Sequence, residues 1–144
     1  MTYPQNIEQK FTELLNALEK HLVPDHYPRN HLKETLPLSV YSPRFGKRET
    51  DEGLYVMKVD ENFQLWYTER GESGMILESA DMDDVLYHLF EGITQSLATS
   101  FEARNRNPKT EDTRRDWFPI QENLMGQLSD KWREKLHQKL SKLI

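Results

Sequence analysis

The side chains best able to do chemistry in this 144-residue chain are few and scattered. The histidines are His21, His26, His31, His88 and His137. The first three recur every five residues through a proline-rich stretch. A metal site asks instead for a closer pair, with carboxylates, on a rigid element. The chain has no cysteine, which excludes disulfides, thiolate zinc ligands and a cysteine nucleophile. It carries no nucleophile elbow, phosphate loop, dinucleotide fingerprint or HExxH helix. No catalytic residue, metal or cofactor is therefore expected. Asp81, Asp83 and Asp84 form an acidic cluster that suits either a divalent cation or a helix start. Capping and the helix dipole account for all three without an ion.

The densest group of opposite charges is Arg104, Arg106, Arg114 and Arg115 among Glu102, Glu111, Asp112 and Asp116. Guanidinium forks match both phosphate and carboxylate. The group reads either as an anion site or as an internal lattice tying helix ends through Glu69 or Asp112. Alternating signs favour the lattice. Trp66, Trp117 and Trp132 can stack on bases, but each falls within an apolar strand or helix pattern that fits core packing.

The elements that must hold these residues follow from periodicity. Ile7, Phe11, Leu14, Leu15, Leu18 and Leu22 recur at helical spacing after Pro4 and before Pro24. Four prolines between Val23 and Pro43 break helices, so a connecting loop is expected there, with a short edge strand near Leu38–Tyr41. Residues 54–59 and 63–68 are rich in β-branched and aromatic side chains around a hairpin turn at Asp60-Glu61-Asn62. A second turn at Arg70–Gly74 leads to a strand at Met75–Glu78. Met82, Val85, Leu86, Leu89, Phe90, Ile93, Leu97 and Phe101 stripe a long helix capped by Asp81. Another helix follows Thr110 or Asp112 and contains Pro119. Ser129 caps the last, which carries Trp132, Leu136 and Leu140. The expected fold is α+β and one domain, residues 1–144: an N-terminal helix, a small antiparallel sheet of three or four strands, then three helices packed on one sheet face.

Composition narrows the function. Nineteen basic and 24 acidic side chains give a net charge of −5, and mean hydropathy is −0.83. Residues 44–111 hold 8 basic and 14 acidic groups, whereas residues 112–144 hold 7 and 5. An acidic middle disfavours nucleic acid, which needs a basic footprint, and it steers basic protein partners. No run reaches the roughly 20 apolar residues of a bilayer span, so no membrane partner is expected. The first six residues lack the basic and apolar regions of a signal peptide, so a cytoplasmic location is expected.

Several residue groups resemble one known family. They are Tyr67-Thr68-Glu69-Arg70-Gly71, Asp84-Val85-Leu86-Tyr87, Ala98 with Phe101-Glu102 and Arg106, Asp112-Thr113-Arg114-Arg115, then Phe118, Gln121, Leu124 and Trp132. In this order they are similar to the immunity protein 63 family of bacterial polymorphic toxin systems, over about residues 54–144. The resemblance implies an antitoxin-like protein that binds and blocks a cognate toxin domain, and no catalytic residues. Were that toxin a basic nuclease, the acidic region would fit its substrate groove. The contact set expected on charge is Glu49, Asp51, Glu52, Glu72, Asp83 and Glu91, with Tyr55 as an exposed aromatic. Glu69, Arg70, Asp112, Arg114 and Arg115 are expected to be structural, partly buried and mutually bonded. Two alternatives stay open: a small-ligand or enzymatic domain built on Arg114, Arg115 and Glu69, and an adaptor that homodimerises through its C-terminal helix. The expected oligomeric state is monomer or weak homodimer.

Overall fold

The computed structural model describes residues 3–22, 38–46 and 52–143. Helix α1 spans Gln5–His21 and a 3-10 turn follows at Leu38–Tyr41. Four strands come next: β1 (Arg44–Phe45), β2 (Gly53–Val59), β3 (Asn62–Glu69) and β4 (Glu72–Ser79). Helices α2 (Met82–Arg104), α3 (Arg114–Gly126) and α4 (Asp130–Ser141) complete the described chain. This is an α+β fold with one helix before the sheet and three after it, as the periodicity requires.

The sheet order is β1-β2-β3-β4. The β2–β3 and β3–β4 pairs are antiparallel hairpins. The fourth strand is not at Leu38–Tyr41, which forms the 3-10 turn. It is the two-residue β1, and it runs parallel to β2, so the sheet is mixed. A two-residue strand has no alternation to read, and the neighbouring Pro43 favours extended backbone for its own reasons. Pro24, Pro28, Pro37, His26 and His31 lie outside the described residues.

Both hairpin turns are two residues long. The first is Asp60-Glu61, with Asp60 at φ 54. The second is Arg70-Gly71, at φ 53 and 79, a left-handed pair that matches the twist of the flanking strands. Residues 72–74, expected in that turn, belong to β4.

Contacts divide the chain into two compact units: residues 1–13 with 40–89, and residues 14–39 with 90–144. In the first, Ile7 and Phe11 of α1, Val56, Phe63 and Leu65 of the sheet, and Val85, Leu86 and Leu89 of α2 are buried. Phe11 meets Phe45 with ring centroids 5.7 Å apart. In the second, Leu15, Leu18, Phe90, Leu97, Leu124, Met125, Leu136 and Leu140 are buried. Trp132 stacks on Phe90 at 5.9 Å.

Capping chemistry sets the helix starts. Asp81 Oδ1 accepts the Asp83 amide at 2.9 Å, and Ser79 Oγ donates to Asp84 at 2.7 Å. Ser129 Oγ accepts the Trp132 amide at 3.2 Å. At α3 the side chain of the cap residue Thr113 makes no capping hydrogen bond. Asp112 Oδ1 accepts the Arg114 amide instead, at 3.1 Å. Pro119 stays within α3 without ending it.

Candidate docking surface

In the sheet unit, strand register puts Tyr55, Trp66 and Met75 in one row and Met57, Gln64 and Glu78 in the next, on the same face. Tyr55 and Trp66 lie parallel at 6.1 Å. Trp66 Nε1 donates to Gln64 at 2.9 Å, and Gln64 Nε2 donates to Glu78 at 2.8 Å. This polar chain fixes the Trp66 ring and the Glu78 carboxylate. Thr68 and Ser73 share a 3.0 Å hydroxyl bond one row nearer the turn. On the other face Tyr67 lies over Gly74: a Cβ at position 74 would stand 2.6 Å from the ring.

At the hairpin tip Glu69 and Glu72 are direct cross-strand partners, both exposed, on either side of Arg70-Gly71. Like charges placed so are destabilising. β4 carries a bulge beside the Leu65/Trp66 step, where Leu77 pairs with Leu65 and Met75 with Trp66. Ile76 is the extra residue. Met75 and Ile76 are consecutive and both exposed, at 48% and 38%, with Tyr67 at 43%. None of these three belongs to the contact set expected on charge. The sequence marks 75–77 as strand but gives no sign of a bulge.

The charge-based contact set divides. Glu52 and Glu72 are exposed, and Asp83 is half-buried in the first turn of α2. Glu49 and Asp51 lie outside the described residues. One expectation is overturned. Tyr55 is 2% exposed and stacked on Trp66, so it is not a surface aromatic. Glu91 is ion-paired with Lys139 of α4 and is only 19% exposed at its side chain.

The arginine–carboxylate group divides too. In the helical unit Arg114 forks onto Asp112, with Nε 2.9 Å from Oδ1 and Nη2 2.7 Å from Oδ2. Its Nη1 donates to the Leu143 carbonyl at 3.0 Å. The Arg114 side-chain bonds hold the Asp112 carboxyl down at about 2. Arg106 forks onto Glu102, whose side chain is 4% exposed. Glu69, Arg70 and Arg115 are exposed, not partly buried as expected. Of the five residues expected to form a lattice here, Asp112 and Arg114 are bonded to each other, and the Arg115 charge also favours the Asp112 carboxylate. Arg115 lines an open cleft of about 400 Å³ with Phe118, Pro119, Glu122, His137 and Leu140. His137 Nδ1 is 2.9 Å from Glu122 there.

Gln121 is the buried polar centre of the helical unit, 1% exposed. Its Nε2 donates to the Glu91 carbonyl at 3.0 Å and to Thr94 Oγ1 at 3.2 Å, joining α3 to α2. Among the described residues no group of three or more His, Asp or Glu could hold a metal ion. No described helix is long and apolar enough to cross a membrane.

The family model for immunity protein 63 matches residues 60–142. This chain belongs to the immunity protein 63 family. No curated protein and no solved structure matches it. The matched span runs from the β2–β3 turn to the end of α4 and leaves out α1, β1 and β2. Within it, most residues that carry the likeness to immunity protein 63 build the scaffold. Val85, Leu86, Tyr87, Ala98, Phe118, Gln121, Leu124 and Trp132 are buried. Gly71 makes the hairpin turn, and Glu102 and Asp112 are held by arginine forks.

Proposed function

We propose that this chain, acting as one domain over residues 1–144, neutralises a cognate bacterial toxin domain by covering it in the cytoplasm of the producing cell. No bond is made or broken in that role: a shaped surface is the working part. The observation that carries it is the family match over residues 60–142. The charge distribution supports the choice of surface. The unit of residues 1–13 and 40–89 holds 13 acidic and 6 basic side chains, net −7, against net +2 for the remainder. A face of that sign suits a basic partner such as a nuclease, whose substrate groove is built for phosphate. Glu52, Glu72, Asp83 and Glu91 are the charged contacts, and Glu49 and Asp51 join them on sequence alone.

The test is co-expression. Cells that make the C-terminal toxin domain encoded beside this gene should survive when the chain is present, and the two proteins should co-purify at 1:1. Death of those cells with the chain present at normal levels refutes the reading. So does turnover of a small substrate by the purified chain alone.

A further inference from the structure

The bulge in β4 decides which of its side chains share a face. In a regular strand Met75 and Leu77 would lie together. With Ile76 as the extra residue, Met75 pairs with Trp66 and Glu78 with Gln64 on one face, while Leu77 pairs with Leu65 on the other. Met75 is 48% exposed, Glu78 is exposed and Trp66 is half-buried. Hydrogen-bond chemistry gives this group one orientation. An indole N–H can only donate, so Gln64 turns its carbonyl oxygen to Trp66. Its amide nitrogen then faces Glu78 and donates to Oε2 at 2.8 Å. Oε1 is the carboxylate atom that a donor from outside would meet. A glutamate held in this way gives up less rotamer freedom on binding than one that moves freely.

We propose that Trp66, Met75 and Glu78 form a seat for one arginine side chain of the toxin, its stem on Met75 and the indole and its guanidinium on the Glu78 carboxylate. This rests on the neutralising reading and names a contact within it. Charge and shape choose the occupant. The unit that carries these residues is net −7, so it draws a cation. An ammonium is a strongly hydrated point charge, which the carboxylate alone would serve. A guanidinium is planar and weakly hydrated, and it stacks on aromatic and apolar surface while its fork meets a carboxylate. It uses both halves of the seat. Diagonal neighbours on adjacent strands stand about 7–8 Å apart, within reach of one long side chain. The flexible thioether of Met75 can adapt to the stem.

The test measures dissociation of the toxin domain encoded beside this gene, by stopped flow. Glu78→Gln keeps the side-chain shape and an acceptor for Gln64 but removes the charge. It should speed dissociation at least tenfold with an unchanged melting temperature. Glu61→Gln, in the β2–β3 turn, removes the same charge away from the seat and should leave dissociation unchanged. Met75→Lys sets a cation of the chain's own beside Glu78 and should weaken binding as strongly, without touching the Gln64–Glu78 bond. Replacing each surface arginine of the toxin by alanine should find one whose loss speeds release from the wild-type chain but not from the Glu78→Gln chain. The Trp66 indole N–H resonance should shift when the toxin is added. Release at the wild-type rate from both the Glu78→Gln and Met75→Lys chains overturns the inference alone and leaves neutralisation standing. The same holds if no toxin arginine couples to Glu78. A Trp66 resonance that shifts with the chain's own concentration makes a second copy the occupant and also overturns the inference. Failure of the wild-type chain to bind the toxin overturns both.

Discussion

Gln121 shows what a single buried polar side chain contributes. Its amide nitrogen supplies the Glu91 carbonyl and the Thr94 hydroxyl in a site closed to water. Removing a partner from a buried acceptor costs about 1–3 kcal/mol, more than a typical net hydrogen bond is worth. Gln121→Ala should therefore lower unfolding stability by at least about 2 kcal/mol, because lost packing adds to the lost bonds. Chemical denaturation read as a shifted midpoint with unchanged slope would check this. Asp112 makes a pH prediction. Its carboxyl sits at about 2 in the folded chain because Arg114 bonds its charged form, against about 3.9 unfolded. The folded value is depressed, so the contribution is complete above the unfolded pKa and is lost as pH falls through the folded one. The melting-temperature difference between wild type and Asp112→Asn should hold steady from pH 7 to 5. It should shrink between about pH 4 and 2.

The elements are legible where a period spans several turns. Helical spacing locates α1, α2 and α4, and hairpin residues locate β2 and β3. It fails where geometry is short or nonlocal. Tyr55, Val56 and Met57 are buried in succession, so alternation does not tell which face of β2 is wet, and the expectation of an outward Tyr55 fails with it. Glu91 meets Lys139 across 48 residues, a pairing no local pattern contains. The edge of β4 is hidden because nothing in Met75-Ile76-Leu77 announces a bulge. The residues behind the family likeness are mainly core and turn residues, so they identify the scaffold and say little about the contact face. Two elements carry local conflicts that substitution can test. Pro119 lacks the N–H that would bond the Arg115 carbonyl within α3, and interior proline costs about 3 kcal/mol against alanine. Its restriction of the unfolded chain returns about 0.4–1 kcal/mol. The cost within the helix exceeds that return, so Pro119→Ala should raise the melting temperature. Arg70 occupies left-handed backbone at φ 53 in a turn that favours Asn-Gly. Arg70→Asn should add about 1 kcal/mol, read by thermal unfolding.

At the scale of the whole molecule the charge is organised by unit rather than by sequence half. Net −7 falls on the unit that contains the sheet and net +2 on the unit that contains α3 and α4. A field of that size acts before contact. Steered encounters reach about 10⁸–10⁹ M⁻¹s⁻¹ at low salt, against about 10⁵–10⁶ for neutral surfaces. The Debye length contracts from about 30 Å at 0.01 M to about 8 Å at 0.15 M ionic strength, so steering is largely lost over that range. Association with a basic toxin domain should slow at least tenfold across it, while dissociation changes far less. Reversing Glu52 and Glu72 together to lysine makes the steering face four charge units less negative. The double variant should associate more slowly at 0.01 M and show a shallower salt dependence, both measurable by stopped-flow fluorescence. A salt dependence identical to wild type would move the encounter surface off the acidic unit, and with it the case for a basic toxin.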